Sequence, residues 1–153
     1  MNDDERATQA NDGSAIRALI DDFVAAMRAK DVAAVMSVFS ADAVSFDLGP
    51  PLRHGGGEPF ERRWRELFDA YEGTIDYELQ ELSIVANGDV AFSHSLNRVA
   101  GTTKAGKRSE RWLRWTACFR KTGRGWRIVH EHVSVPVDLR SGKAVLDLTP
   151  ERT

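Results

Sequence analysis

Trp126-Arg-Ile-Val-His-Glu-His-Val-Ser-Val-Pro136 carries the pattern on which the fold turns. β-Branched residues dominate it, and Pro136 closes it because proline has no N–H to give to a ladder. It reads as the last strand of a curved sheet. Side chains alternate across a strand, so Val129, Glu131, Val133 and Val135 form one set and Ile128, His130, His132 and Ser134 the other. The valine set is expected to face the interior and to carry Glu131 inward with it. A carboxylate facing a core is costly unless it is paired, hydrogen-bonded or protonated. Glu131 is therefore expected in a polar niche, which is how a pocket registers in a sequence. The alternative is a buried ion pair that only pins the sheet.

The strands before it sort in the same way. In 108–121, Leu113, Trp115, Ala117 and Phe119 form the apolar set, opposite Arg114, Thr116, Cys118 and Arg120. In 90–101, Val90, Phe92, His94, Leu96 and Arg98 form the set expected to face inward, so His94 and Arg98 are expected beside Glu131. A strand over 74–86 comes first, and Asn87-Gly-Asp turns it back as a hairpin. His130 and His132 share a face, but it is the outer one, and no third ligand stands at a suitable spacing. No metal is expected. Cys118 lies on that outer face with no base beside it in sequence.

Upstream, Asp12 or Ser14 is placed to cap a helix with Ile16, Leu19, Ile20, Phe23, Val24 and Met27 on one face. Asp31 caps a second helix carrying Val32, Val35, Met36 and Phe39. Ala43 to Phe46 is a short strand, ended by Asp47-Leu-Gly-Pro-Pro. Arg53-His-Gly-Gly-Gly57 is not followed by Lys-Ser/Thr, so it is read as a pocket rim rather than a phosphate loop. Pro59 opens a third helix with Phe60, Trp64, Leu67, Phe68 and Tyr71 along one stripe. Residues 1–11 are expected as a disordered tail, 12–136 as one domain, and 137–153 as a C-terminal extension. Consecutive hairpin-linked strands with the helices ahead of them imply an α+β fold: a curved, mainly antiparallel sheet with three N-terminal helices on one face.

A chain of 153 residues suits a single core. The net charge of −2 gives no general attraction to nucleic acid or anionic membrane. Nine Lys/Arg against one acid, Glu110, between Gly101 and Arg127 read as solvated hairpins, and nucleic acid is not the expected partner. Met1 to Gly13 has no apolar secretion segment, and no apolar run nears the ~20 residues of a membrane helix. With Cys118 the single cysteine, a cytoplasmic, disulfide-free protein is expected.

Lys30-Asp31-Val-x-x-Val-Met-x-x-Phe39-Ser-Ala-Asp42-Ala43-Val44, Phe92-Ser-His-Ser-Leu-Asn-Arg98, Cys118-Phe-Arg-Lys121 and the 126–136 strand together resemble the nuclear-transport-factor-two-like superfamily. Within it, the chain is similar to SnoaL-like cyclases and ketosteroid isomerases over about residues 14–145. The resemblance implies a cone-shaped sheet with the helices packed on its concave face, and a homodimer. It places Asp47 at the isomerase's general base, and Phe23 and Trp115 where that enzyme carries its two oxyanion donors. It also places Leu113, Trp115, Ala117, Glu131, Val133 and Val135 on the cavity side.

The expected function is a small-molecule pocket for an apolar or carbonyl-bearing ligand, worked by an isomerase- or cyclase-type enzyme without a cofactor. Asp47 or Glu131 would remove a proton next to a carbonyl, and His94 or Arg98 would stabilise the oxygen. Trp64 and Trp115 would wall the pocket, with Phe23, Leu113 and Val133 lining it. A non-catalytic ligand-binding or interaction module of the same fold is the alternative.

Overall fold

The structure is a computed structural model and describes residues 2–150. Helices α1 (Asp3–Ala29), α2 (Val32–Val38) and α3 (Glu58–Asp69) lie on the concave face of a curved sheet. The strands are β1 (Phe39–Phe46), β2 (His54–Gly55), β3 (Tyr71–Asn87), β4 (Val90–Thr103), β5 (Arg108–Thr122) and β6 (Gly125–Ser134). Their order across the sheet is β2-β1-β6-β5-β4-β3. Every pair is antiparallel except β1 with β6. A short hairpin, β7 (Val137–Asp138) and β8 (Lys143–Ala144), follows Pro136. No helix among the described residues is long and apolar enough to cross a membrane.

The tail expected over 1–11 is helix from Asp3 onward, and Met1 lies outside the described residues. Asn2, not Asp12 or Ser14, caps α1. Its side chain accepts from Glu5 N, and the Glu5 carboxylate accepts from Asn2 N, each at 2.8 Å. That reciprocal pair satisfies two amides that helix geometry leaves unbonded. Asp12 instead sits inside α1 and is buried, accepting from Lys121 Nζ at 2.7 Å and Trp126 Nε1 at 3.2 Å. The Lys121 bond, supported by Trp126, holds its carboxyl below the usual range against the opposing effect of burial.

Phe23 of α1 is the hub of the core. Its ring stacks on Trp115 at 5.2 Å and meets Tyr77, Trp64 and Phe39 edge-on at 5.8, 6.0 and 6.1 Å. Each such pair contributes about 0.5–1.5 kcal/mol beyond the area it buries. The helical stripe read through Tyr71 ends earlier, because α3 stops at Asp69 and Tyr71 opens β3. Gly101 makes room for that ring: a Cβ there would sit 2.7 Å from Tyr71 Cδ1.

Two faces differ from the sequence reading. In β4 the inward row is Ala91, Ser93, Ser95, Asn97 and Val99, while His94 and Arg98 point outward. Directly opposed residues share a face, and Ser95 opposes the buried Trp115. Small side chains in this central strand leave the volume that Phe23, Trp115 and Tyr77 fill. In β6 the register slips between Cys118↔His130 and Phe119↔Ile128, leaving Val129 as an extra residue. This bulge lets Ile128 (0% exposed) and Glu131 (2%) both face the core despite opposite parity. The expected pairing of Val129 with Glu131, and of Ile128 with His130, is thereby corrected.

Candidate active site

Between the helices and the sheet lies a cavity of about 230 Å³. Its sheet wall is built in rows set by strand register. The innermost row is Ser45, Glu131, Ala117 and Ser93, of which Glu131 reaches the cavity. Next come Val133, Trp115 and Ser95, then Leu113 and Asn97, and at the far end Arg111, Val99 and Tyr77. Successive rows are about 6.6 Å apart, two residue rises along a strand. Phe23 and Met27 of α1, and Arg63, Trp64 and Leu67 of α3, close the other side.

Glu131 is the chemical centre of this wall. Ser45 Oγ donates to its Oε1 at 2.8 Å, and Trp115 Nε1 donates to its Oε2 at 2.9 Å. Burial pushes the carboxyl up from its ordinary range; the two hydrogen bonds and the Arg63 charge oppose this without cancelling it. Each oxygen keeps a lone pair that the protein does not use. Asp47, just past the end of β1, accepts from its neighbour's amide, Leu48 N, at 2.6 Å and forms an ion pair with Arg63. Arg63 is shifted down chiefly by burial, opposed by the charges of Glu131 and Glu66. The cavity wall thus holds two carboxylates with one guanidinium beside both.

Several hydrogen-bond donors on residues around the void lack an acceptor. Arg63 Nε and Trp64 Nε1 are buried without a partner, and both residues line the cavity. Tyr77 Oη accepts from Asn97 Nδ2 at 2.7 Å, and Asn97 Oδ1 accepts from Ser95 Oγ at 2.6 Å. No protein acceptor takes the Tyr77 hydroxyl hydrogen among the described residues. Burial keeps that phenol protonated, shifting it well above its usual value. Buried donors of this kind are completed by a ligand or by water.

Of the residues singled out from sequence, Asp47, Glu131, Trp64, Trp115, Phe23, Leu113 and Val133 line this one cavity. His94 and Arg98 do not. His94 is exposed on the outer face opposite Thr116, and Arg98 is held by Glu110 at 2.8 and 3.0 Å. The outer face also carries His130 and His132, with Phe46 packed against both rings. Arg63, Tyr77, Asn97 and Arg111 were missed. Arg63 was readable in principle: it stands three residues after Phe60 and four before Leu67, on the apolar face of α3.

Comparison with known proteins now decides the family. The profile of the SnoaL-like domain matches residues 16–138. The chain belongs to the SnoaL-like family. This SnoaL-like protein is similar to a crystallised NTF2-like protein of unknown function from Pseudomonas putida KT2440. The two share 30% identity over 92% of this chain and 98% of that one, with a TM-score of 0.83. An NTF2-like superfamily protein from Salmonella enterica shares the fold at 16% identity, 89% and 99% coverage and a TM-score of 0.77. A ketosteroid isomerase-like protein from Erwinia carotovora atroseptica does so at 22% identity, 80% and 95% coverage and a TM-score of 0.69. No curated protein matches the sequence. The SnoaL-like fold accounts for the cone and the buried hollow, but one fold hosts many chemistries, so function must be argued from the side chains in the hollow.

Proposed function

We propose that this protein is a cofactor-independent, isomerase- or cyclase-type enzyme that moves a proton on a small, mainly apolar compound bearing a carbonyl group. One observation carries the reading: Glu131, a buried carboxylate with spare lone pairs, lines an aromatic-walled cavity whose lining residues include donors without partners. A carboxylate raised by burial is a stronger base than one in water, which suits abstraction of a proton next to a carbonyl. Trp64 Nε1, Arg63 Nε and the Tyr77 hydroxyl take over the oxygen-stabilising task first expected of His94 and Arg98. Asp47 is the second carboxylate and keeps Arg63 turned toward the cavity. At about 230 Å³ the void is smaller than the ~300–1,000 Å³ of drug-sized sites, which favours a one-ring or short-chain ligand.

The test starts from the compound that leaves the purified protein on denaturation, identified by mass spectrometry and added back. Its conversion to an isomer or a cyclised product supports the enzyme. Recovery of unaltered compound supports the second reading, a binding module, which the stacked Phe23 and Trp115 favour where isomerases carry oxyanion donors. With a substrate in hand, Asp47→Asn is expected to lower kcat by about 10²-fold. An unchanged kcat removes Asp47 from the mechanism.

We also infer a homodimer through the outer face of the sheet. Val85 and its cross-strand partner Phe92, with Val90 nearby, are 49%, 47% and 57% exposed there. Burying such a patch favours association. Sedimentation at micromolar concentration is expected to show a dimer, and a lone monomer sinks the inference.

A further inference from the structure

Two arginines line the cavity, and only one has a carboxylate. Arg63 is paired with Asp47. Arg111, in the outermost row, has Ser109 Oγ at 3.2 Å as its hydrogen-bond partner and forms no ion pair among the described residues. Its sequence neighbour Glu110 points to the other face of β5 and is occupied by Arg98. Arg111 is half-buried, with Val99 beside it on β4 and Leu113 two residues along on the same face. A guanidinium is always charged, carries five N–H donors and matches a carboxylate in a two-pronged fit. Half-buried at the cavity wall with a single neutral acceptor, Arg111 keeps most of its donors free for an anion.

The placement matters as much as the charge. Arg111 stands six residues along β5 from Ala117, the neighbour of Glu131, so their rows are about 20 Å apart along the strand. Between them lie Leu113, Val133 and Trp115, all apolar in body. Trp64, Arg63 and Tyr77, each carrying a donor without an acceptor, line the same void. A ligand matching the outer part of this layout has an anionic end and an apolar body.

We propose that the ligand is an apolar carboxylic acid whose carboxylate is held by Arg111 at the outer end of the cavity. This rests on the reading of the cavity as a ligand site and names the chemical class it takes. Arg111 is a specificity residue in this scheme: it selects the acid and sets its direction in the cavity, with the apolar body lying along Leu113, Val133 and Trp115. Because recognition is by charge and fork geometry, a neutral isostere of the acid loses it while keeping every apolar contact.

The experiment uses the full chain and follows tryptophan fluorescence, since Trp64 and Trp115 line the cavity. The probes are 4-phenylbutanoate and its neutral partner 4-phenylbutanamide. The native protein is expected to bind the acid at least about tenfold more tightly than the amide, as hydrogen bonds to charged groups warrant. Arg111→Gln is expected to erase that preference by weakening the acid far more than the amide, and Arg111→Lys to restore part of it. Arg114→Gln, on the outer face, is expected to behave as native. Equal affinity for acid and amide, a preference that survives Arg111→Gln, or failure of the acid to bind at millimolar concentration each overturns the assignment. Binding is read without turnover. A missing preference in an active enzyme therefore overturns only this proposal, while an intact preference with no proton transfer in any ligand overturns only the catalytic one.

Discussion

Glu131→Gln is expected to lower kcat by about 10²–10⁴-fold, the usual contribution of a positioned general base, while leaving the fold intact. The substitution keeps the shape of the side chain. Trp115 Nε1 is only a donor, so the new amide must turn its oxygen toward Trp115 and its NH2 toward Ser45 Oγ, which has lone pairs to accept it. Both contacts are kept, although Ser45 changes from donor to acceptor and its hydroxyl hydrogen must turn elsewhere, so a denaturant titration of the variant shows whether lost turnover reports chemistry rather than unfolding. Stability should move in the opposite sense. The native carboxyl is raised above its unfolded value of about 4.3, so between those two values the folded state binds more protons than the unfolded state. Its contribution is fully present below the ordinary carboxylate range and declines as pH rises to the raised value. Glu131→Gln has no such decline, so the variant gains on native protein as pH rises from about 4 toward neutrality. Denaturant midpoints across that range check it. A difference between the two proteins that does not change with pH means the folded protein does not perturb this carboxyl.

Trp115→Ala is expected to cost about 3–5 kcal/mol, the range for deleting a buried aromatic and leaving its cavity. Trp115 is 2% exposed, stacks on the hub residue Phe23 and bonds Glu131 Oε2. Its cross-strand neighbours Ser95 and Val133 are too small to close the gap. Trp115→Phe separates packing from hydrogen bonding. It keeps most of the stack, should cost about 1–2 kcal/mol, and deprives Glu131 of one of its two donors. With that donor gone the carboxyl rises further, so the acidic limb of activity, which follows ionisation of this base, should move to higher pH. Urea titrations of the two variants measure the costs. A loss below about 1 kcal/mol for the alanine variant would mean the core refills without this ring.

Register explains which side chains were placed on the correct face from sequence and which were not. Glu131 and Trp115 face inward as expected because each belongs to a local alternation, 131 with 133 and 115 with 117, that the structure keeps. His94 and Arg98 were misplaced because Phe92 and Leu96 made their set look like the buried one. Nothing in β4 itself says that its small polar row, Ser93, Ser95 and Asn97, is the inner one. That follows only from its partnership with β5, which the 103–107 connection sets. A slip of one residue there reverses every side chain.

The sequence by itself determined the architecture: the α1 stripe of Ile16, Ile20, Phe23 and Met27, the Asn87-Gly88 hairpin, the Pro136 stop and the inward acid at 131. These depend on periodicity and turn chemistry, which act over a few residues. Tertiary structure alone decided which face of β4 meets the helices, where the Val129 bulge reverses parity, and which donors converge with Glu131. Those outcomes depend on contacts between residues far apart in the chain, such as Asp47 with Arg63 and Tyr77 with Asn97, and local pattern carries no record of such distances.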